Sequence, residues 1–178
     1  MNRKLIFALV GVFFCGFVGL MVFGLYFASD PHAIPSNLIS KKASDFKVTT
    51  FDGQDVDMSA LRGRPVILNF WASWCVSCRA EAHIVEAAYQ KYKDSGPVFI
   101  GIAINDERSA SLQFIRKYGK TYLLAPDDTI GTISLNYGVT AAPETFFIDK
   151  QGIIRDKALG PVRPGQIDQF LDQQLSSP

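Results

Sequence analysis

Two cysteines separated by two residues, Cys75-Val76-Ser77-Cys78, are the side chains of this sequence best equipped for covalent chemistry. They lie where an apolar run gives way to helical spacing. That placement puts the first sulfur at a helix N-terminus, where unpaired N–H groups and the helix dipole favour a thiolate. Cys75 is therefore expected to be the nucleophile and Cys78 the resolving thiol. Attack of Cys75 on a substrate disulfide gives a mixed disulfide, which Cys78 cleaves to release reduced substrate and leave an oxidised Cys75–Cys78 pair. Such a dithiol carries its own electrons and needs no cofactor. The third cysteine, Cys15, lies inside an apolar N-terminal stretch and reads as a small apolar filler.

Three other chemistries fit a cysteine pair. A structural disulfide across so short a loop would constrain the unfolded chain little, and a chain of 178 residues can build a core without it. A structural zinc site usually needs four ligands, and the only further cysteine is Cys15. His83 follows Cys78 by five positions, so a Cu(I) site of Cys75, Cys78 and His83 is the metal alternative, with copper delivery as its function. Redox catalysis without a metal is favoured over all three, with His83 on the helix surface.

The elements that must position the pair follow from periodicity. Pro65 to Trp71 is a nearly continuous apolar run, as expected of a central strand buried on both faces. After the cysteines, Ala80, Ile84, Ala87, Ala88 and Tyr92 form an apolar stripe at helical spacing that ends near Asp94-Ser95-Gly96. Pro97 to Ile104 reads as a second buried strand, residues 108–118 as a helix, 122–125 as a short strand and 129–137 as helical. Phe46 to Phe51 and Asp55 to Met58 flank Asp52-Gly53 as a hairpin or extended lead-in. Thr145 to Ile148 and Gly152 to Arg155 form another hairpin, and a terminal helix starts at Pro164. This order predicts an α/β fold with a mixed central sheet flanked by helices.

The N-terminus is different in kind. Arg3 and Lys4 precede Leu5 to Ala28, a stretch with no charged side chain that would run about 36 Å as a helix, enough for a hydrocarbon core of about 30 Å. It is too long for a signal-peptide core, and Tyr26-Phe27-Ala28 puts a bulky residue where cleavage wants a small one. The expectation is an uncleaved, single-pass transmembrane signal anchor. Its positive flank stays in the cytoplasm and the C-terminal part is exported to the extracytoplasmic side. The predicted organisation is residues 1–28 as cytoplasmic tip and anchor, 29–39 as a proline-containing stalk with a solvated His32, and 40–178 as the globular domain. A net charge of +1, with Lys and Arg scattered among Asp and Glu, argues against nucleic acid as a partner.

The run Asn69-Phe70-Trp71-Ala72-Ser73-Trp74-Cys75-Val76-Ser77-Cys78-Arg79-Ala80-Glu81 resembles the active site of membrane-tethered thioredoxin-like proteins of cytochrome c maturation. Ala142-Pro143-Glu144-Thr145-Phe146-Phe147-Ile148-Asp149, continuing through Arg155, is similar to those proteins again. So is the stalk, with Asp30-Pro31, Ile34-Pro35-Ser36 and Leu38-Ile39. Together these identify the DsbE (CcmG) family and imply a thioredoxin-like fold. They also imply a periplasmic thiol–disulfide oxidoreductase that reduces apocytochrome c or works with haem-handling maturation proteins, recharged by a membrane thiol–disulfide electron transporter.

The resemblance further implies that Pro143 is a cis-proline beside the dithiol, with Ala142 and Trp74 contributing to substrate binding and Trp74 shielding Cys75. Glu81 and Glu144 match acidic positions able to raise the thiolate pKa and relay its proton. Ser77 departs from the proline of many relatives, at a position that influences redox potential. Thr140-Ala141 stands where relatives often have tyrosine and glycine. Asn69 stands where thioredoxin has a buried aspartate and cannot act as a base, which leaves Glu81, Glu144 or water for proton transfer at Cys78.

Overall fold

The structure is a computed structural model and describes residues 3–27 and 38–176. It falls into two units, Met1–Pro35 and Ser36–Pro178. The first holds helix α1, Arg3–Phe27, whose described side chains, Phe7, Leu9, Phe13 and Leu20 among them, are exposed, as is the free Cys15. Among the described residues no helix is long and apolar enough to cross a membrane. In α1 the side chains at positions 5, 8 and 25–27 lie outside the described set, so a span rests on the sequence of Leu5 to Ala28. Positions 29–37 of the expected stalk, His32 included, also lie outside the described residues.

In the second unit Leu38 packs on the core and Ser40 N–H bonds to the Ile154 carbonyl. A hairpin of β1 (Lys47–Thr49) and β2 (Asp55–Asp57) leads through a short 3₁₀ turn, Met58–Leu61, into β3 (Val66–Trp71). Then follow α2 (Val76–Tyr92), β4 (Val98–Ala103), α3 (Arg108–Tyr118), β5 (Leu123–Pro126), α4 (Thr132–Asn136), β6 (Glu144–Ile148), β7 (Ile154–Leu159) and α5 (Gln166–Ser176). The five-stranded sheet has the order β5-β4-β3-β6-β7, with β3, β4 and β5 parallel and β6 and β7 antiparallel to their neighbours. This is the mixed sheet expected, and β3 is its centre.

Every residue of β3 is buried, because α2 and α5 pack on one face and the lead-in hairpin, the 3₁₀ turn and α4 on the other. Ile67 and Trp71 join the core layer containing Cys75, Cys78 and α2, while Val66, Leu68 and Phe70 join the opposite layer with Tyr137 and Phe146. Asn69 is the polar interruption in this apolar run, and it lies opposite Gly101 on one side and Thr145 on the other.

The last strand, expected at Gly152 to Arg155, runs from Ile154 to Leu159, and three helices also differ from the sequence expectation. The buried stripe of α2 is Cys78, Glu81, Ala82, Val85, Ala88 and Tyr92, whereas Ala80 and Ala87 are exposed and Ile84 is half-buried. Ala88 and Tyr92 are shared with the expected stripe, and the buried face is turned by about one residue so that it includes Glu81. The segment at 129–137 is helical only from Thr132 to Asn136, because the Asp127 carboxylate accepts the N–H groups of Ile133 and Ser134 and Asp128 accepts that of Thr132. The last helix begins after Gly165, whose φ of +80° lies in the left-handed region and keeps Pro164 out of it.

Candidate active site

Cys75 is the N-cap of α2, with extended backbone, and its sulfur accepts the Cys78 N–H at 3.0 Å. One unsatisfied N–H of the first turn is thereby aimed at the sulfur expected to carry negative charge. Cys75 and Cys78 form a disulfide with Cα atoms 5.3 Å apart, and both are buried. The Cys75 sulfur lies 3.3 Å from the Ala142 carbonyl oxygen, to which a reduced thiol at this place can donate. The Ala142–Pro143 peptide bond is cis. A segment 67 residues away in sequence thus meets the nucleophile.

Both expected carboxylates are here, and both are buried. Glu81, three residues beyond Cys78 and therefore on the same face of α2, is 2% exposed. Its Oε1 accepts the Asn69 amide at 2.9 Å and its Oε2 accepts the Val162 N–H at 3.0 Å. Burial pushes the Glu81 carboxyl above its ordinary range, against the opposing pull of those two donors and of the Lys120 charge. Glu144 sits at the start of β6, 1% exposed. Its Oε1 accepts the Thr140 N–H and hydroxyl and the Ala141 N–H at 3.0, 3.1 and 3.3 Å, and its Oε2 lies 2.7 Å from the buried Lys157 ammonium. Thr140-Ala141, the departure noted in the sequence, is therefore tied to Glu144 through its backbone.

Trp74 is 55% exposed, and its indole N–H bonds to the Asn105 carbonyl at 3.0 Å. With Val76, 74% exposed, it gives the dithiol an apolar surround at the protein surface. The turn before Cys75 is fixed by Asp106, whose carboxylate accepts the Ser73 N–H at 2.8 Å, the Ser73 hydroxyl at 2.7 Å and the Ser111 hydroxyl at 2.8 Å. Sequence reading missed Asp106, although its signal was present: it follows the carboxyl end of a parallel strand beside β3, where α/β sites form. It also missed Lys157 and Lys120, whose roles depend on tertiary neighbours. His83 is exposed on α2. Among the described residues no group of three or more His, Cys, Asp or Glu side chains is placed to hold a metal ion.

A mixed sheet with a helix-capping dithiol beside a cis-proline loop defines a thioredoxin-like thiol–disulfide oxidoreductase. The model of the AhpC/TSA family matches residues 39–157. Thiol:disulfide interchange protein DsbE of Pseudomonas fluorescens biotype C is 39% identical over 140 residues, 78% of this chain and 75% of that one. Thiol-disulfide oxidoreductase ResA of Bacillus thuringiensis is 30% identical over 170 residues, 96% and 95% of the two chains. The crystal structure of a secreted Mycobacterium tuberculosis disulfide oxidoreductase, homologous to DsbE of E. coli, superposes with a TM-score of 0.62 at 27% identity, covering 75% of this chain and 96% of that one. The chain belongs to the AhpC/TSA family and, within it, to the DsbE thiol:disulfide interchange proteins.

Proposed function

We propose that this oxidoreductase works as a reductase of apocytochrome c disulfides during cytochrome c maturation, held by a single N-terminal helix in the inner membrane with its catalytic domain in the periplasm. The observation that carries the reading is the Cys75 sulfur at the start of α2, aimed at the Ala142 carbonyl beside cis-Pro143. Reduced Cys75 attacks a client disulfide as thiolate, a new sulfur–sulfur bond forms to the client, and the client's second sulfur leaves and takes a proton. Cys78 then loses its proton, attacks Cys75 and expels the second client thiolate, regenerating the disulfide seen here. Glu81 lies on the face of α2 that carries Cys78 and is the acceptor we assign for that proton.

The Ala142–Pro143 segment and exposed Trp74 line the place where an extended client segment reaches Cys75. The two electrons return from a membrane thiol–disulfide transporter, so the cycle runs on the dithiol without a cofactor. The uncharged run Leu5 to Ala28 behind Arg3 and Lys4 supports the anchor and its orientation. A broader set of exported clients is the second reading, favoured by the apolar and sequence-neutral surround of Trp74 and Val76.

The test is the full chain with Cys78→Ala, expressed in membranes, where clients are trapped as mixed disulfides on Cys75. Recovery of an apocytochrome c or a haem-handling protein supports the maturation role. Recovery of many unrelated exported proteins replaces it with the broader reductase. Stoichiometric Cu(I) on the wild-type chain that is lost in His83→Ala, with no trapped client, replaces both with copper delivery.

A further inference from the structure

A second buried cation lies on the Glu81 side of the sheet. Lys120 follows α3 and is 6% exposed. Its Nζ is 4.2 Å from the centroid of the Trp71 ring, 5.1 Å from that of Tyr122 and 5.5 Å from that of Phe114. Among the described residues it has no carboxylate at ion-pair distance, unlike Lys157. Aromatic faces attract an ammonium but do not neutralise it. A buried charge in such a seat is costly unless a more distant group compensates it.

The seat is built by the strand that carries Asn69. Gly101 pairs with Asn69 across β3 and β4, and a Cβ on it would lie 3.0 Å from the Trp71 Nε1 and from a Tyr122 ring carbon, and 2.6 Å from a Leu124 methyl. With no side chain at that point, Trp71 and Tyr122 close over β4 and present their rings to Lys120. The Trp71 N–H and the Tyr122 hydroxyl are both buried without a hydrogen-bond partner, so little local polarity screens a charge placed here. Glu81 and Glu86 of α2 are the carboxylates whose charge reaches Lys120. Glu86 is engaged by Thr121, whose N–H and hydroxyl it accepts at 2.9 and 2.5 Å. Asp52 lines the same surface cavity as Lys120. Glu81 alone among these stands on the buried stripe with Cys78.

We propose that Lys120 is a positioning residue for the proton step of thiol–disulfide exchange: from its seat on Trp71 its ammonium holds Glu81 ionised, ready to accept the Cys78 proton. The proposal rests on Glu81 as that acceptor. In the step, the Cys78 S–H bond breaks and the proton passes to the Glu81 carboxylate. The resulting thiolate forms the bond to Cys75 as the client sulfur departs with the electron pair of the broken disulfide. Burial brings the Lys120 ammonium down to about 7 while the Glu81 charge opposes that fall.

The experiment compares the wild-type full chain in detergent micelles with Lys120→Met, Lys120→Arg, Glu81→Gln and the Lys120→Met/Glu81→Gln double variant, following reduction of a disulfide-bonded peptide from pH 4 to pH 9. In Lys120→Met the acid limb moves up by about one pH unit, a rate about tenfold lower on that limb, and Lys120→Arg restores it. In Glu81→Gln the limb is gone and the lysine substitution adds nothing further. A limb unmoved by Lys120→Met, or moved equally in the Glu81→Gln background, overturns the role of Lys120. A limb that persists in Glu81→Gln removes the acceptor itself. A second reading leaves Lys120 in place: the titration midpoint of its ε-methylene carbon signal falls when Glu81 becomes Gln, and an unchanged midpoint also overturns the coupling.

Discussion

The two buried carboxylates beside the dithiol are held in opposite ways. At the head of β6, Glu144 meets its cation in contact, with Lys157 at 2.7 Å, and its other oxygen is occupied by three donors from Thr140 and Ala141. On α2, Glu81 receives one donor on each oxygen, from Asn69 and Val162, and its cation sits on an aromatic ring without touching it. In the first region the carboxylate's bonds are directed into the loop that presents Ala142 and Pro143, and the group acts as a clamp. In the second, burial raises the carboxyl against the pull of the Val162 and Asn69 donors and the smaller pull of the Lys120 charge. The same residue type is held in two ways, and contact with a cation is what separates them.

Removing the contact cation should have the largest consequence. Lys157→Ala takes the ion-pair partner from the buried Glu144, with an expected loss of about 3–5 kcal/mol in urea unfolding while the acid limb of exchange keeps its position. A shifted limb with intact stability would reverse the two assignments. Next, Glu81→Gln should slow exchange about 10–100-fold at neutral pH with little change in unfolding midpoint. The sign follows from its raised pKa. The base is protonated below that value, so wild-type exchange falls as pH drops through a point above the ordinary carboxylate range, and the glutamine variant lacks this fall. The stability attached to the same raised value is present at acid pH and lost as pH rises through it.

A smaller effect of opposite direction is expected at the remote cation. Lys120→Met removes a desolvated charge and should stabilise the domain by about 1–3 kcal/mol at pH 7. Lys120 titrates at about 7 when folded and at 10.5 in its ordinary state, so between those values the unfolded chain holds more protons and wild-type stability rises with pH. The advantage of the substituted chain should therefore shrink from pH 7 to pH 10, and a constant advantage would place the lysine charge in solvent. The smallest effect belongs to the link between the regions. Asn69 donates to Glu81 and, at 3.0 Å, to the Thr145 hydroxyl beside Glu144, so Thr145→Val should cost about 1 kcal/mol and leave both pH behaviours in place. Movement of the exchange limb in that variant would show that the two carboxylates are coupled.

Much of this arrangement was legible along the chain because it rests on local patterns. A nearly continuous apolar run from Val66 to Trp71 makes a central strand, helical spacing follows it, and a C-x-x-C at their junction puts a sulfur at a helix start. Those signals sufficed for the dithiol and the mixed sheet. The orientation of α2 was not legible, because an apolar stripe counts a glutamate as solvent-facing, and the groups that make Glu81 burial tolerable come from Asn69, 12 residues before it, and Val162, 81 residues after it.

The sequence by itself determined the redox pair, the strand and helix that hold it and the uncharged N-terminal run, since each is specified by residue type and spacing within one segment. The tertiary structure alone decided which carboxylate meets a cation in contact and which is held by amide donors alone. That choice depends on where Lys157 and Lys120 lie relative to Glu144 and Glu81, and the energy of a buried charge is set by neighbours in space.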